Sequence, residues 1–113
     1  MTLQPPIPLQ AALPELVAFG RAELGPILRL YGRMVAAGEW RDYALVFMPE
    51  VAVFSVFRRA SESPLYRIEK RPRQRARQGQ YAVFGAAGQV MRRGEDLAAV
   101  LRVLERKLIR PVG

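Results

Sequence analysis

A chain of 113 residues, half hydrophobic and a quarter charged, has the balance of a globular protein and room for one modest core. It contains neither histidine nor cysteine, which excludes disulfides, thiolate nucleophiles, the commonest general base and most zinc geometries. The net charge of +8 is uneven: residues 1–57 carry four basic and five acidic side chains, residues 58–113 fourteen and five.

Residues 1–13, spaced by Pro5, Pro6 and Pro8, read as a disordered Pro-rich tail, and 14–113 as a single α+β domain. The start of the chain has no basic n-region, so no secretory signal is expected, and no apolar run reaches the ~18–20 residues of a membrane span. The expected location is cytoplasmic. Over 21–37, Leu24, Ile27, Leu28, Tyr31, Met34 and Val35 recur at three- and four-residue steps, the spacing of one helical face. Proline clashes with a preceding helical turn, so a helix starting near Gly25, with Pro26 in its first turn, is preferred to an earlier start with a kink. Gly38 is placed to cap its end.

The period then changes to two. Tyr43, Leu45 and Phe47 alternate with Ala44, Val46 and Met48, and a second β-branched and aromatic run covers 51–59. A third strand, 65–71, sends Tyr66 and Ile68 to one face and Arg67 and Glu69 to the other. Strands at 81–84 and 89–92 flank the loop Gly85-Ala86-Ala87-Gly88. A second amphipathic helix over 95–108 buries Leu97, Val100, Leu101, Leu104 and Leu108. The fold class is therefore α+β: a mainly antiparallel sheet of four to five strands, flanked by an N-terminal and a C-terminal helix packed on one face.

Several stretches resemble a small bacterial family of unknown function, domain of unknown function 2794. They are residues 30–44, containing Tyr31-Gly32-Arg33-Met34 and Gly38-Glu39-Trp40-Arg41-Asp42-Tyr43, then 52–62, 64–70, Gln78-Gly79 and 97–104. Met48-Pro49-Glu50 departs from the family pattern, which favours a polar, proline-free turn there. The resemblance implies a cytoplasmic single-domain protein with no assigned activity, so it carries over no catalytic residue.

Function is expected in the basic half. Arg67, Lys70, Arg71, Arg73, Arg75 and Arg77 form a dense run, and Arg58, Arg59, Arg92 and Arg93 extend it if the strand ends meet. Such a field attracts polyanions, and planar guanidinium suits phosphate. Pro72 favours extended backbone at Arg71. If that continues, Arg71, Arg73, Arg75 and Arg77 line one side of the chain. If 73–78 is instead a short helical turn, Arg73 and Arg77 share a side and Gly79 caps it. A solvated basic loop that binds nothing is the bland alternative. Tyr66, Tyr81 and Phe84, interleaved with the charge, are candidates for stacking on unpaired bases or for core packing.

The function expected from the sequence is a non-enzymatic polyanion-binding module without metal or cofactor, contacting nucleic acid, RNA ahead of DNA. The alternative is a protein–protein adaptor for an acidic partner, with Trp40 or Tyr31 as its apolar anchor.

Overall fold

Glu23 decides where the first helix begins. The computed structural model describes residues 15–59 and 63–106; the expected tail 1–13 lies outside them. Helix α1 spans Arg21–Ala36. The Gly20 carbonyl accepts from the amides of Glu23 and Leu24 at 3.0 and 2.8 Å, and the Glu23 carboxylate reaches back to the Gly20 N–H at 2.7 Å. The same carboxylate receives Lys70 Nζ at 2.8 Å and the Tyr81 hydroxyl, partners 47 and 58 residues away in the chain. Anchored this way, the helix starts four residues before Gly25 and runs through Pro26, giving up one backbone bond there. Its end follows expectation. Gly38 has φ +76°, and the amides of Gly38 and Glu39 return to the carbonyls of Val35 and Met34, each at 2.9 Å.

Five strands follow as a meander in the order β1 (Asp42–Phe47), β2 (Ala52–Phe57), β3 (Tyr66–Lys70), β4 (Tyr81–Gly85) and β5 (Val90–Gly94), every neighbouring pair antiparallel. The first hairpin closes through Pro49-Glu50, with the Met48 amide donating to Val51 at 2.9 Å. The last turns at the expected glycines, where the Gly88 amide donates to the Gly85 carbonyl at 2.9 Å. Helix α2 (Leu97–Glu105) opens on Asp96, whose carboxylate accepts from the Ala99 amide at 3.4 Å. Leu108, expected in its buried stripe, lies outside the described residues.

Alternation along the strands sorts the two faces. Phe54, Val56, Ile68 and Val83 point to one side and meet Ile27, Leu30 and Met34 of α1 and Val100, Leu101 and Leu104 of α2. All of these are at most 2 % exposed, and each is worth about 1.5–3 kcal/mol of burial. Both helices lie on that face, as expected. Residues of the other parity, including Val53, Phe57, Arg67, Glu69 and Phe84, form a second face with no helix over it among the described residues.

Candidate functional site

The arginine run does not stay extended. Arg71 is extended (φ −125°, ψ 93°), as a residue before proline prefers, but Pro72–Gln74 is a 3-10 turn. The Gln74 carbonyl then accepts from the amides of Arg77, Gln78 and Gly79 at 3.1, 3.0 and 2.9 Å. The single-file row of guanidiniums is therefore replaced by the helical-turn alternative. On this turn Arg75 reaches Glu95, just before α2. Gly79 (φ +93°) ends the turn against the β5–α2 connection, so closely that a Cβ there would sit 2.2 Å from the Gly94 carbonyl carbon.

Glu95 ties this turn to the body of the protein. Its carboxylate accepts from the Gln80 amide (2.9 Å), Gln80 Nε2 (2.6 Å) and Arg75 Nε (3.0 Å). The Gln80 backbone N–H first, then the Gln80 side chain and the Arg75 guanidinium, hold its pKa below the ordinary carboxylate value against an opposing desolvation. On the open sheet face Glu69, 7 % exposed, lies between Arg67 and Arg71, with Nε contacts of 3.4 and 3.2 Å. Arg71 and Arg75 thus spend Nε on a carboxylate, and among the described residues their terminal nitrogens make no hydrogen bond. The carboxylates fix the guanidinium planes and leave the forked ends without a protein partner among the described residues.

Strand order decides which arginines meet. The register places Lys70, Tyr81 and Gly94 side by side, so Arg71, Arg73, Arg75, Arg77 and Arg93 gather at one end of the sheet, whereas Arg92, opposite Val83, has helix-side parity and does not join them. Arg73 lies 3.6 Å from Glu50, and Arg77 is exposed with no ion pair among the described residues. Arg58 and Arg59 follow β2 at the opposite end, where Arg58 lies 3.6 Å from Glu39, so they do not extend the patch. Lys70 leaves it too. Its alternation turns it to the helix side, where Nζ donates to Glu23 and to the Ala18 carbonyl at 2.8 and 2.9 Å. Burial alone would raise the pKa of Glu23, but the hydrogen bonds from Lys70, Tyr81 and Gly20 outweigh it and hold the carboxyl below its ordinary value.

The aromatics divide by the same parity. Tyr81 is 8 % exposed, with its hydroxyl on Glu23, and burial first, then that carboxylate, pushes its pKa well up. Tyr66 packs on Trp40, ring centroids 6.3 Å apart. Both belong to the helix side. Trp40 is 3 % exposed and packs beside Tyr31, whose ring also meets Tyr43 and Phe54, so Trp40 is a core residue and not a surface anchor. Phe84 is different. It is half-buried on the open face, with the guanidinium carbons of Arg67 and Arg93 at 5.3 and 5.9 Å from its ring centroid. The supporting roles of Glu69, Gln80 and Glu95 were not read from sequence; only the parity of Glu69 with Arg67 and Arg71 pointed toward one of them. No group of three or more metal-ligating side chains is present among the described residues.

Fold and site together define a two-layer α+β protein whose sheet, among the described residues, is bare on one face and basic at one end. A model of the family described as protein of unknown function (DUF2794) matches residues 17–101, and the chain belongs to that family. No curated protein and no solved structure matches it.

Proposed function

We propose that this protein is a non-enzymatic polyanion-binding module that takes an unpaired stretch of nucleic acid across the open sheet face, with phosphates on the arginine turn. The observation that carries this reading is the gathering of Arg71, Arg73, Arg75, Arg77 and Arg93 at the same sheet end, next to the Arg67–Phe84–Arg93 cluster. Six arginines there, counting Arg67, face three carboxylates, Glu50, Glu69 and Glu95, which leaves a positive excess. Guanidiniums already held by Nε lose little further freedom on binding phosphate. A sheet five strands wide is too broad for a duplex groove, which admits a helix or a two-stranded ribbon. An unpaired base has a free face to lay on Phe84. RNA is favoured over DNA because it is commonly met unpaired. The proposal sets the module in the cytoplasm, where a cysteine-free chain needs no oxidising environment.

Fluorescence anisotropy of labelled single-stranded RNA, titrated over a range of salt concentrations, tests this. Four or five neutralised phosphates give a log–log slope of about −3 to −3.5, at about −0.7 per phosphate on a single strand. Absence of binding at low salt, or a slope near zero, would falsify the proposal.

A further inference from the structure

Among the described residues the outer edge of β1 is open. Because the Met48 amide donates to Val51, the antiparallel alternation turns the backbone groups of Asp42, Ala44 and Val46 toward β2 and those of Tyr43, Leu45 and Phe47 away from it. Among the described residues nothing pairs with these outward groups. The side chains around them are apolar on both faces. Tyr43, Leu45, Val46 and Met48 are 48, 38, 47 and 39 % exposed, and no charged residue lies between Tyr43 and Met48. The other edge of the sheet is guarded: β5 carries Arg92 and Arg93, and its pairing is broken by an irregularity at Val83/Phe84. Charge and bulges are the devices that keep an edge from recruiting another strand. This fold applies them to β5 and not to β1.

We propose that β1 pairs antiparallel with β1 of a second copy of this chain, about a two-fold axis through Leu45, joining two five-stranded sheets into one. The strand is self-complementary about that residue. Tyr43 falls opposite Phe47, Ala44 opposite Val46, and Leu45 opposite its own mate. Every pair keeps both side chains on the same face, and outward backbone groups meet outward ones. Two aromatic–aromatic pairs result. Charge also favours a second copy in this orientation. Arg41 lies opposite Pro49 of its mate, next to the mate's acidic Glu50. The two arginine turns, each at the Phe47 end of its sheet, are sent to opposite ends of the joint one. For two molecules of net charge +8 that arrangement minimises repulsion. The guarded β5 edges end the assembly at two, and both bare faces lie on one side of it.

The absence of cysteine makes cross-linking a clean test. Directly opposed residues in such a hydrogen-bonded pair have Cα atoms about 5.5 Å apart, within disulfide reach. Leu45→Cys is expected to form a disulfide-linked dimer under mild oxidation, at least about tenfold faster than Val90→Cys on the guarded edge. Light scattering of the nuclease-treated native chain in high salt should rise from one chain mass to two as concentration rises. Leu45→Lys, which sets like charges opposite each other, should stay at one mass with an unchanged circular dichroism spectrum. Should Leu45→Lys unfold, Leu45→Pro serves instead, since it removes an outward donor and spares the bonds to β2. A single-chain mass at every concentration, equal cross-linking of the two cysteine variants, or a dimer that dissolves with nuclease each overturns the proposal.

Discussion

Replacing Gly79 by alanine should damage this protein far more than the same change at Gly38, although both glycines have positive φ (+93° and +76°). At Gly38 nothing lies within 4 Å of an added Cβ, so the penalty is the left-handed backbone alone, about 1–2 kcal/mol. At Gly79 the new methyl would lie 2.2 Å from the Gly94 carbonyl carbon and 2.6 Å from the Glu95 amide nitrogen. The turn must lift off the β5–α2 connection, and Gln80, only 3 % exposed, loses its two bonds to Glu95. A buried group left without its partner costs about 1–3 kcal/mol beyond the backbone penalty, so the total is about 2–5 kcal/mol. For a domain of this size each kcal/mol lowers Tm by about 4–8 °C. Thermal melts followed by circular dichroism should therefore separate the variants by at least about 4 °C, the floor for the extra cost of about 1–3 kcal/mol at Gly79. Equal melting temperatures would show that the Gly79–Gly94 approach does not hold the turn, and the argument built on it would fail.

Other consequences are equally direct. Because Glu23 has its pKa lowered by folding, the unfolded chain binds the proton more readily, and the contribution of Glu23 is present above the ordinary carboxylate value of 4.5 and fades as pH falls through the folded value. Urea midpoints of the native chain should drop across that acidic window, and those of Glu23→Gln should drop less; parallel curves would contradict the assignment. In RNA titrations Arg77→Ala should make the salt slope shallower by about 0.7. Phe84→Ala should leave the slope unchanged and weaken binding about 5- to 150-fold, the loss of one stacked base; identical effects of the two changes would argue against separate phosphate and base contacts. Trp40→Ala should lower stability by about 3–5 kcal/mol as a core truncation, measured by denaturant unfolding, and a stable variant would return Trp40 to the list of surface anchors.

What was legible in the sequence was whatever local chemistry controls. Alternation assigned the faces of β3, with Tyr66 and Ile68 inward and Arg67 and Glu69 outward, because one buried face enforces a period of two. Gly38 and the Gly85–Gly88 loop were visible because their turns need those residues. The start of α1 was not, since the carboxylate that anchors it is held by Lys70 and Tyr81, distant in sequence. Nor was the choice between the extended and the helical-turn conformation of the arginine run, both of which the sequence allowed, since it depends on Gly79 resting on Gly94. Lys70 shows the same limit at the site. Its place in a basic run suggested a ligand contact, yet its parity in β3 commits it to the helix side. Arg58 and Arg59 were separated from the other arginines by the reversals of the meander, which send the end of β2 and the end of β3 in opposite directions.

Glu95 immediately precedes the capping residue of α2 while gripping the far end of the arginine turn. Any anion that draws Arg75 outward competes with one of the three donors on that carboxylate. Occupancy of the turn is thereby coupled to the first coil of a helix packed on the other side of the molecule, and amide hydrogen exchange at Gln80 and Ala99 becomes a label-free gauge of it.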